Sequence, residues 1–245
     1  MAKSGKKKQK KQSWSGLQKV RIRRWLGRIA IWSAAAFIFA ILLFRVINPP
    51  TTWTMYSEKM RLVRVDHIWV PYEDIAPVMA RSVVAAEDAN FCAHWGFDMV
   101  AIRAALAEGG ARGASTLSQQ TVKNVYLWQG RSWARKALEA VITPFVELAW
   151  SKQRILEIYL NVAEFDEGVF GVEAAARHYF GVGPEALTAR QAARLAAVLP
   201  APRQRSAARP SARLEKRASA IIDGAATIRK DGRSGCFDLE PSTGA

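Results

Sequence analysis

The feature that most constrains this chain is an uncharged apolar run at residues 29–44, IAIWSAAAFIFAILLF, which follows a strongly basic tail. A helix needs roughly 20 such residues to span a bilayer, and Arg28 and Arg45 at the two ends can extend their side chains to the headgroups. A cleaved signal peptide would be followed by a small-x-small site, which FRVINPPTTW does not contain. The sequence therefore predicts a transmembrane anchor at 29–47, preceded by a tail at 1–28.

The positive charge of the chain is concentrated in that tail. The formal net charge is +15, and residues 1–28 contain eleven Lys and Arg and no acid. The remainder is only mildly basic, so no nucleic-acid partner is predicted. Because positively charged flanks stay in the cytoplasm, we expect a single-pass protein of the inner (cytoplasmic) membrane, with the rest of the chain on the periplasmic side.

The part that follows the anchor has mainly helical periodicity. Apolar residues recur at three- and four-residue steps in DIAPVMARSVVAAED, MVAIRAALAE and TARQAARLAAVLP, and alternation supports no sheet of more than two short strands. We therefore predict a mainly α-helical domain at 48–230, and a frayed C-terminal tail at 231–245. Cys92 and Cys236 lack metal-ligand spacing; they either pair in an oxidising compartment or remain two separate thiols.

The stretch AAEDANFCAHWGFDM, residues 85–99, is the first candidate for chemistry. Glu87 and Asp88 are expected to end a helix. The apolar residues of that helix would remove water from a carboxylate at this position. This would raise its pKa towards the range of a general base. Nearby aromatics (Phe91, Trp95 and Phe97) are expected to keep the pocket dry. Alternatively, both acids interact with the N-terminus of the next helix, which also favours negative charge.

A second candidate combines a glycine-rich loop with a cluster of cations. The segment GGARGASTLSQQTVKN, residues 109–124, runs into a polar helix start with Ser115 as the expected N-cap, which suits an anion. Glu139 follows, and Lys123, Arg131, Arg135 and Lys136 precede it. These could be ordinary helix-surface ion pairs. Expelling a sugar from a diphosphate, however, requires positive charge where negative charge develops. The cluster and the anchor together favour a lipid-linked diphosphate substrate.

Five segments, in order, resemble the motifs of one enzyme family. EDANFCAHWGFD resembles the E-D-x-x-F-x-x-H-x-G-x-D signature of the peptidoglycan glycosyltransferases (glycosyltransferase family 51). Similar matches are GASTLSQQTVKN, RKALE, KQRILEIYLN and GVFGVEAAARHYFG, and the set covers residues 84–200. The resemblance implies a lysozyme-like bilobed helical domain that polymerises lipid II by inverting transfer and releases undecaprenyl diphosphate. The chain is most similar to the monofunctional type, because its one S-x-x-K match lies in the basic tail.

The resemblance also implies roles for individual residues. Glu87 would be the general base. Glu139 would lie at the donor diphosphate with Lys123, Arg131, Arg135 and Lys136. The substrate cleft would further include Asp88, Ser115, Gln119, Gln120, Asn124 and Lys152. Ser118 replaces the family's usual threonine.

The predicted partners are lipid II, the growing glycan strand and the membrane, with other cell-wall synthesis proteins as candidates. No cofactor is assigned, and a divalent cation (Mg²⁺ or Mn²⁺) at the diphosphate is left open. The alternative functions are a lytic lysozyme-like glycosidase and a non-catalytic, membrane-anchored scaffold.

Overall fold

The N-terminal part of the protein is one long helix. A computed structural model describes residues 7–109, 113–130 and 132–239, and the chain divides into two compact units, Met1–Ile47 and Asn48–Ala245. In the first unit, helix α1 (Lys7–Phe44) contains a 24-residue candidate membrane span, Arg21–Phe44, whose most apolar 18-residue window has a mean hydropathy of 2.1. At 1.5 Å per residue this stretch is about 36 Å long, enough to cross a bilayer core of roughly 30 Å.

The second unit is built mainly from helices joined by short turns. Its α-helices are α2 (Trp53–Leu62), α3 (Pro77–Glu87), α4 (Met99–Ala107), α5 (Leu117–Tyr126), α6 (Trp133–Ala149), α7 (Lys152–Val162), α8 (Val172–Phe180), α9 (Ala189–Val198) and α10 (Ala212–Lys230). Together with the apolar N-terminal helix, they confirm the predicted mainly α-helical fold class.

One small sheet departs from the expectation of at most two short strands. Strands β1 (Asp66–His67), β2 (Glu164–Asp166) and β3 (Val169–Phe170) form a sheet of order β1-β3-β2. The β1–β3 pair is parallel and the β2–β3 pair antiparallel. The third strand could not be predicted because two residues are too few to show alternation.

Small side chains allow three helices of the core to approach closely. α9 buries Ala192, Ala193, Ala196 and Ala197 where it packs between α3 and α10. α10 also packs directly on α3, where a Cβ at Gly224 would lie 3.2 Å from the Cβ of Ala85. A second group, α5 with α6 and α7, completes the core. The end of α3 is thereby held in a fixed place.

The start of α5 is fixed by a capping box one residue later than expected. Thr116, not Ser115, is the N-cap: its hydroxyl accepts from the backbone N–H of Gln119, and the Gln119 side chain accepts from the backbone N–H of Thr116. Two backbone donors of the first turn are satisfied in this way. Ser115 is therefore free to use its hydroxyl elsewhere.

The expectation of a frayed C-terminal tail is wrong for residues 231–239. Cys236 forms a disulfide with Cys92, and Phe237 is buried. Arg81 on α3 forms a buried ion pair with Asp238, with 2.7 Å between Nη1 and Oδ2. Pairing of the two cysteines is one of the alternatives that the sequence leaves open, whereas the contacts of Phe237 and Asp238 could not be predicted, because they join residues more than 140 positions apart. The C-terminal segment is thus fastened to the loop that follows Glu87.

Candidate active site

Glu87 is the last residue of α3 and is largely withdrawn from water. Burial raises its pKa above the ordinary value of 4.5, although a hydrogen bond from Gln120 and the charges of Arg217, Lys123 and Arg205 oppose the shift. Its Oε2 accepts from Gln120 Nε2 at 3.0 Å. Its Oε1 is buried and accepts no hydrogen bond from the residues that the structure describes.

Among the described residues, Arg217 is the cation nearest to that second oxygen. Its Nη2 lies 3.7 Å from Glu87 Oε1, beyond hydrogen-bond distance. Glu87 therefore has one oxygen held in place and one oxygen with unused acceptor capacity. A buried carboxylate in this condition is suited to take a proton from a bound hydroxyl.

The orientation of Gln120 is set by a residue that the sequence did not single out. The buried Tyr159 on α7 donates its hydroxyl to Gln120 Oε1 at 3.1 Å. Since the amide oxygen is occupied by this donor, the amide nitrogen faces Glu87. Tyr159 lies inside the KQRILEIYLN motif, so the resemblance did mark its position but not its role.

Asp88 connects the loop after α3 to the start of α5. Its Oδ1 is 2.9 Å from His94 Nε2, and its Oδ2 accepts from the backbone N–H of Leu117 at 2.9 Å. The alternative that both acids interact with the N-terminus of the next helix, α4, is wrong: Asp98 caps α4, and Asp88 binds the first residue of α5 instead. The expected aromatic cover is wrong for Trp95, which is 71% exposed, whereas Phe91 is fully buried.

Glu139 on α6 lies in a cluster of positive charge. Its side chain is only 3% exposed; it binds Lys136 Nζ, and Arg135 Nη1 lies 3.5 Å away. Lys136 also donates to Ser115 Oγ at 2.9 Å, which links the cluster to the loop before α5. The predicted Arg131 lies outside the described residues.

The ammonium group of Lys123 interacts electrostatically with both Glu139 and Glu87. Burial lowers its pKa below 10.5, while the negative charges of Glu139 and Glu87 partly counter the shift. Lys123 also lines a cavity of about 480 Å³ together with Gln120, Asn124 and Tyr159. Such a buried cation is poorly screened by water and acts strongly on a nearby anion.

A smaller cavity lies directly at Glu87. It has a volume of about 190 Å³ and is lined in part by Glu87, Asp88 and Ser115. Most predicted site residues are thus brought to two cavities and the Glu139 cluster. Gln119 and Lys152 are not among the residues that line these two cavities.

Lys152 is engaged within the protein instead. Its Nζ donates to Glu147 Oε1 at 2.7 Å and to the backbone oxygen of His94 at 2.8 Å, and it lies 4.5 Å from the centre of the Phe91 ring. In this structure Lys152 therefore fixes the loop after Glu87.

Glu147 is a functional candidate that sequence reasoning missed. The buried carboxylate accepts from Ser118 Oγ as well as from Lys152, and thereby joins α5, α6 and α7. It also faces Gly96, where a Cβ would lie 2.6 Å from Thr143 Cγ2 and 3.1 Å from Glu147 Cγ. Serine at position 118 retains the hydroxyl that this contact requires. The available signal was one acid within the apolar stretch VITPFVELAW.

Comparison with known proteins places this geometry in a family. The family model described as Transglycosylase matches residues 55–226. The "Biosynthetic peptidoglycan transglycosylase" of Jannaschia sp. (strain CCS1) is 57% identical over 237 residues, covering 97% of this chain and 99% of the relative. The protein of the same name from Pseudomonas putida (strain GB-1) is 50% identical over 210 residues, covering 82% and 89%. The chain therefore belongs to the transglycosylase family and is a peptidoglycan glycosyltransferase, as its five motifs predict.

Proposed function

We propose that the protein polymerises lipid II into glycan strands by inverting glycosyl transfer, with Glu87 as the general base. The observation that carries the proposal is the state of the Glu87 carboxylate. It is desolvated, its pKa is raised, and Oε1 accepts no hydrogen bond within the described part of the chain. A base poised in this way is most effective when its pKa approaches the working pH.

In the proposed reaction, Glu87 Oε1 accepts the proton of the acceptor's 4-hydroxyl as that oxygen attacks the anomeric carbon of the donor. The bond from this carbon to the diphosphate oxygen breaks, and its electron pair leaves with undecaprenyl diphosphate. Attack from the face opposite the leaving group inverts the anomeric centre. Gln120, held by Tyr159, keeps the carboxylate aimed during this step.

The leaving diphosphate is stabilised by cations and needs no proton donor. Lys123, Arg135 and Lys136 supply positive charge where negative charge develops. The role of Glu139 is to hold Lys136 and Arg135, since both surround its carboxylate. The two glutamates therefore have different roles, in contrast to the acid and base pair of many glycosidases.

The proposed reaction includes no divalent cation. The Glu139 carboxylate is already surrounded by Lys136 and Arg135, and no group of three or more His, Cys, Asp or Glu among the described residues could hold a metal ion. We therefore derive no step through a metal and assign charge compensation to the cations of the protein.

The location follows from the N-terminal helix and the substrate. A cell-wall enzyme acts outside the cytoplasm, and the apolar stretch Arg21–Phe44 is suited to anchor it. We propose insertion in the inner membrane with the basic tail in the cytoplasm. A reporter that works only in the periplasm should be active when it is fused at the C-terminus. Activity of a reporter that works only in the cytoplasm would contradict this orientation.

The reaction is tested by incubating purified protein with lipid II. We expect long glycan from the native protein and almost none from Glu87→Gln, while Glu73→Gln, at an exposed surface position, should behave as the native protein does. Equal polymer from native and Glu87→Gln would contradict the base assignment. Release of fragments from mature wall would favour a lytic glycosidase, and strand binding without turnover would favour a scaffold.

A further inference from the structure

A third cavity carries a concentration of positive charge that the proposed reaction does not use. It has a volume of about 470 Å³ and is lined by Arg205, Ser211, Arg213, Leu214, Lys216, Arg217 and Ala220. Four of these seven residues are cationic and none is acidic. The cavity therefore attracts anions.

The cations lie along one face of α10. Positions 213, 216, 217 and 220 follow the three- and four-residue steps that place side chains on the same side of a helix. The three cations on this face, Arg213, Lys216 and Arg217, span roughly 6 Å along the helix axis. Arg205 joins the cavity from the segment before α10, where Nη1 donates to the backbone oxygen of Ala197 at 2.8 Å.

Two of the four positive charges in this cavity, those of Arg213 and Lys216, are not paired with a carboxylate of the described residues as other surface charges of the protein are. Arg190 and Arg194 both bind Glu215, and Arg233 binds Asp231. Within the described residues, by contrast, no carboxylate forms an ion pair with Arg213 or Lys216. Burial and the neighbouring charges of Arg217 and Arg213 lower the pKa of Arg205. Clustering like charges in this way opposes folding, so a ligand is the better explanation.

Arg217 connects this cavity to the reaction centre. Its Nη2 lies 3.7 Å from Glu87 Oε1, and the same nitrogen donates to the backbone oxygen of Ala86 at 3.4 Å. A ligand held in the cavity would consequently lie beside the hydroxyl that Glu87 deprotonates.

Lipid II is a disaccharide-peptide linked to undecaprenyl diphosphate. We propose that this cavity binds the carboxylates of that peptide, an inference that rests on the function proposed above. Four separate cations, three of them spaced over roughly 6 Å of α10 and one on the preceding segment, match several separated carboxylates on an extended chain better than one compact diphosphate. The diphosphate has its own cations in Lys123, Arg135 and Lys136. The peptide would thus be recognised separately and would help to place its sugar at Glu87.

The test is a direct binding measurement on the full-length protein in detergent. The probes are a soluble disaccharide-peptide with free carboxylates and the same compound with every carboxylate amidated. We expect the free acid to bind the native protein about tenfold more tightly, the equivalent of one good charged contact. Equal affinity for both compounds would overturn the proposal.

A matched pair of charge reversals on α10 locates the effect. Lys216 and Lys230 are both exposed on α10 and lie 14 positions, or about 21 Å, apart. Lys216→Glu and Lys230→Glu change the charge of the protein by the same amount. Lys216→Glu should abolish the preference for the free acid, and Lys230→Glu should preserve it. Equal losses in both variants would overturn the proposal, as would a Lys216→Glu defect confined to the binding of anionic phospholipid vesicles.

The outcome is separable from that of the proposed function. Glu87→Gln should lose polymerisation and still bind the free acid more tightly than the amide, because position 87 is not among the residues that line this cavity. A protein that selects the free acid without polymerising lipid II would contradict the proposed function alone. A protein that polymerises lipid II but does not distinguish the two compounds would contradict the carboxylate site alone.

Discussion

Glu87 and Glu139 are both withdrawn from water, but the two regions that surround them differ in charge. At Glu139, Lys136 binds the carboxylate and Arg135 Nη1 lies 3.5 Å from it, so two cations of the same helix compensate its charge. At Glu87, one oxygen is held by the uncharged Gln120, the nearest cation is 3.7 Å from the other oxygen, and burial dominates, so that the pKa is raised.

This difference shows that burial alone does not give an acidic residue its role. A carboxylate that is compensated by neighbouring cations, as Glu139 is, supports the cations beside it. A carboxylate with little compensation is unstable in its charged form and gains from accepting a proton. The four predictions below test this contrast, starting with the largest effect.

Replacing Glu87 should separate activity from stability. We expect Glu87→Gln to lower kcat about 10³-fold, within the range for removal of a general base, without lowering the free energy of unfolding, because a desolvated charge with little compensation is removed. Lipid II turnover and denaturant unfolding measure the two quantities. Clear destabilisation by Glu87→Gln would show that the carboxylate contributes to the fold.

Breaking the disulfide should affect the Glu87 region more than the Glu139 region. Cys92→Ser with Cys236→Ser should reduce the free energy of unfolding by roughly 2–5 kcal/mol, because a long loop is no longer closed in the unfolded chain. Hydrogen exchange should increase in residues 88–98 and change little in α6. Equal increases in both segments would show that the C-terminal segment does not specifically hold the loop after Glu87.

Replacing Glu139 should destabilise the protein where replacing Glu87 does not. Glu139→Gln leaves Lys136 and Arg135 without their anion, and we expect a loss of about 1–3 kcal/mol, the lower value reflecting the partial exposure of Lys136. Denaturant unfolding of Glu139→Gln and Glu87→Gln, measured in parallel, compares the free energies of unfolding of the two variants. Equal stability of the two variants would remove the proposed difference between the regions.

The smallest expected effect is in the pH dependence of stability. Because the pKa of Glu87 is raised in the folded state, the native protein loses stability as the pH rises from the unfolded value of about 4.3 through the folded value. The slope approaches about 1.4 kcal/mol per pH unit. Glu87→Gln should lack this loss, so its stability relative to the native protein should rise over that window and then level off. A difference that is constant with pH would contradict the raised pKa.

The sequence predicted well what depends on local order and poorly what depends on distant contacts. Glu87 at the end of α3, Lys136 beside Glu139 and the family itself followed from neighbouring residues in ordered motifs. Tyr159 behind Gln120 and Arg217 beside Glu87 could not be assigned roles, because packing between separate helices decides which side chains meet. The C-terminal segment looked frayed for the same reason, since the partner of Cys236 lies 144 positions earlier.

The most direct test of the central claim is the pH profile of kcat/KM for lipid II polymerisation by the native protein and Gln120→Met. A base must be ionised, so activity should fall on the acidic side through a pKa above 4.5. Gln120 donates to the carboxylate and lowers this pKa, so Gln120→Met should move the acidic limb to higher pH, whereas Lys136→Met, next to Glu139, should leave it closer to the native position. An acidic limb at the ordinary glutamate value, unchanged in Gln120→Met, would contradict the assignment of Glu87 as the base.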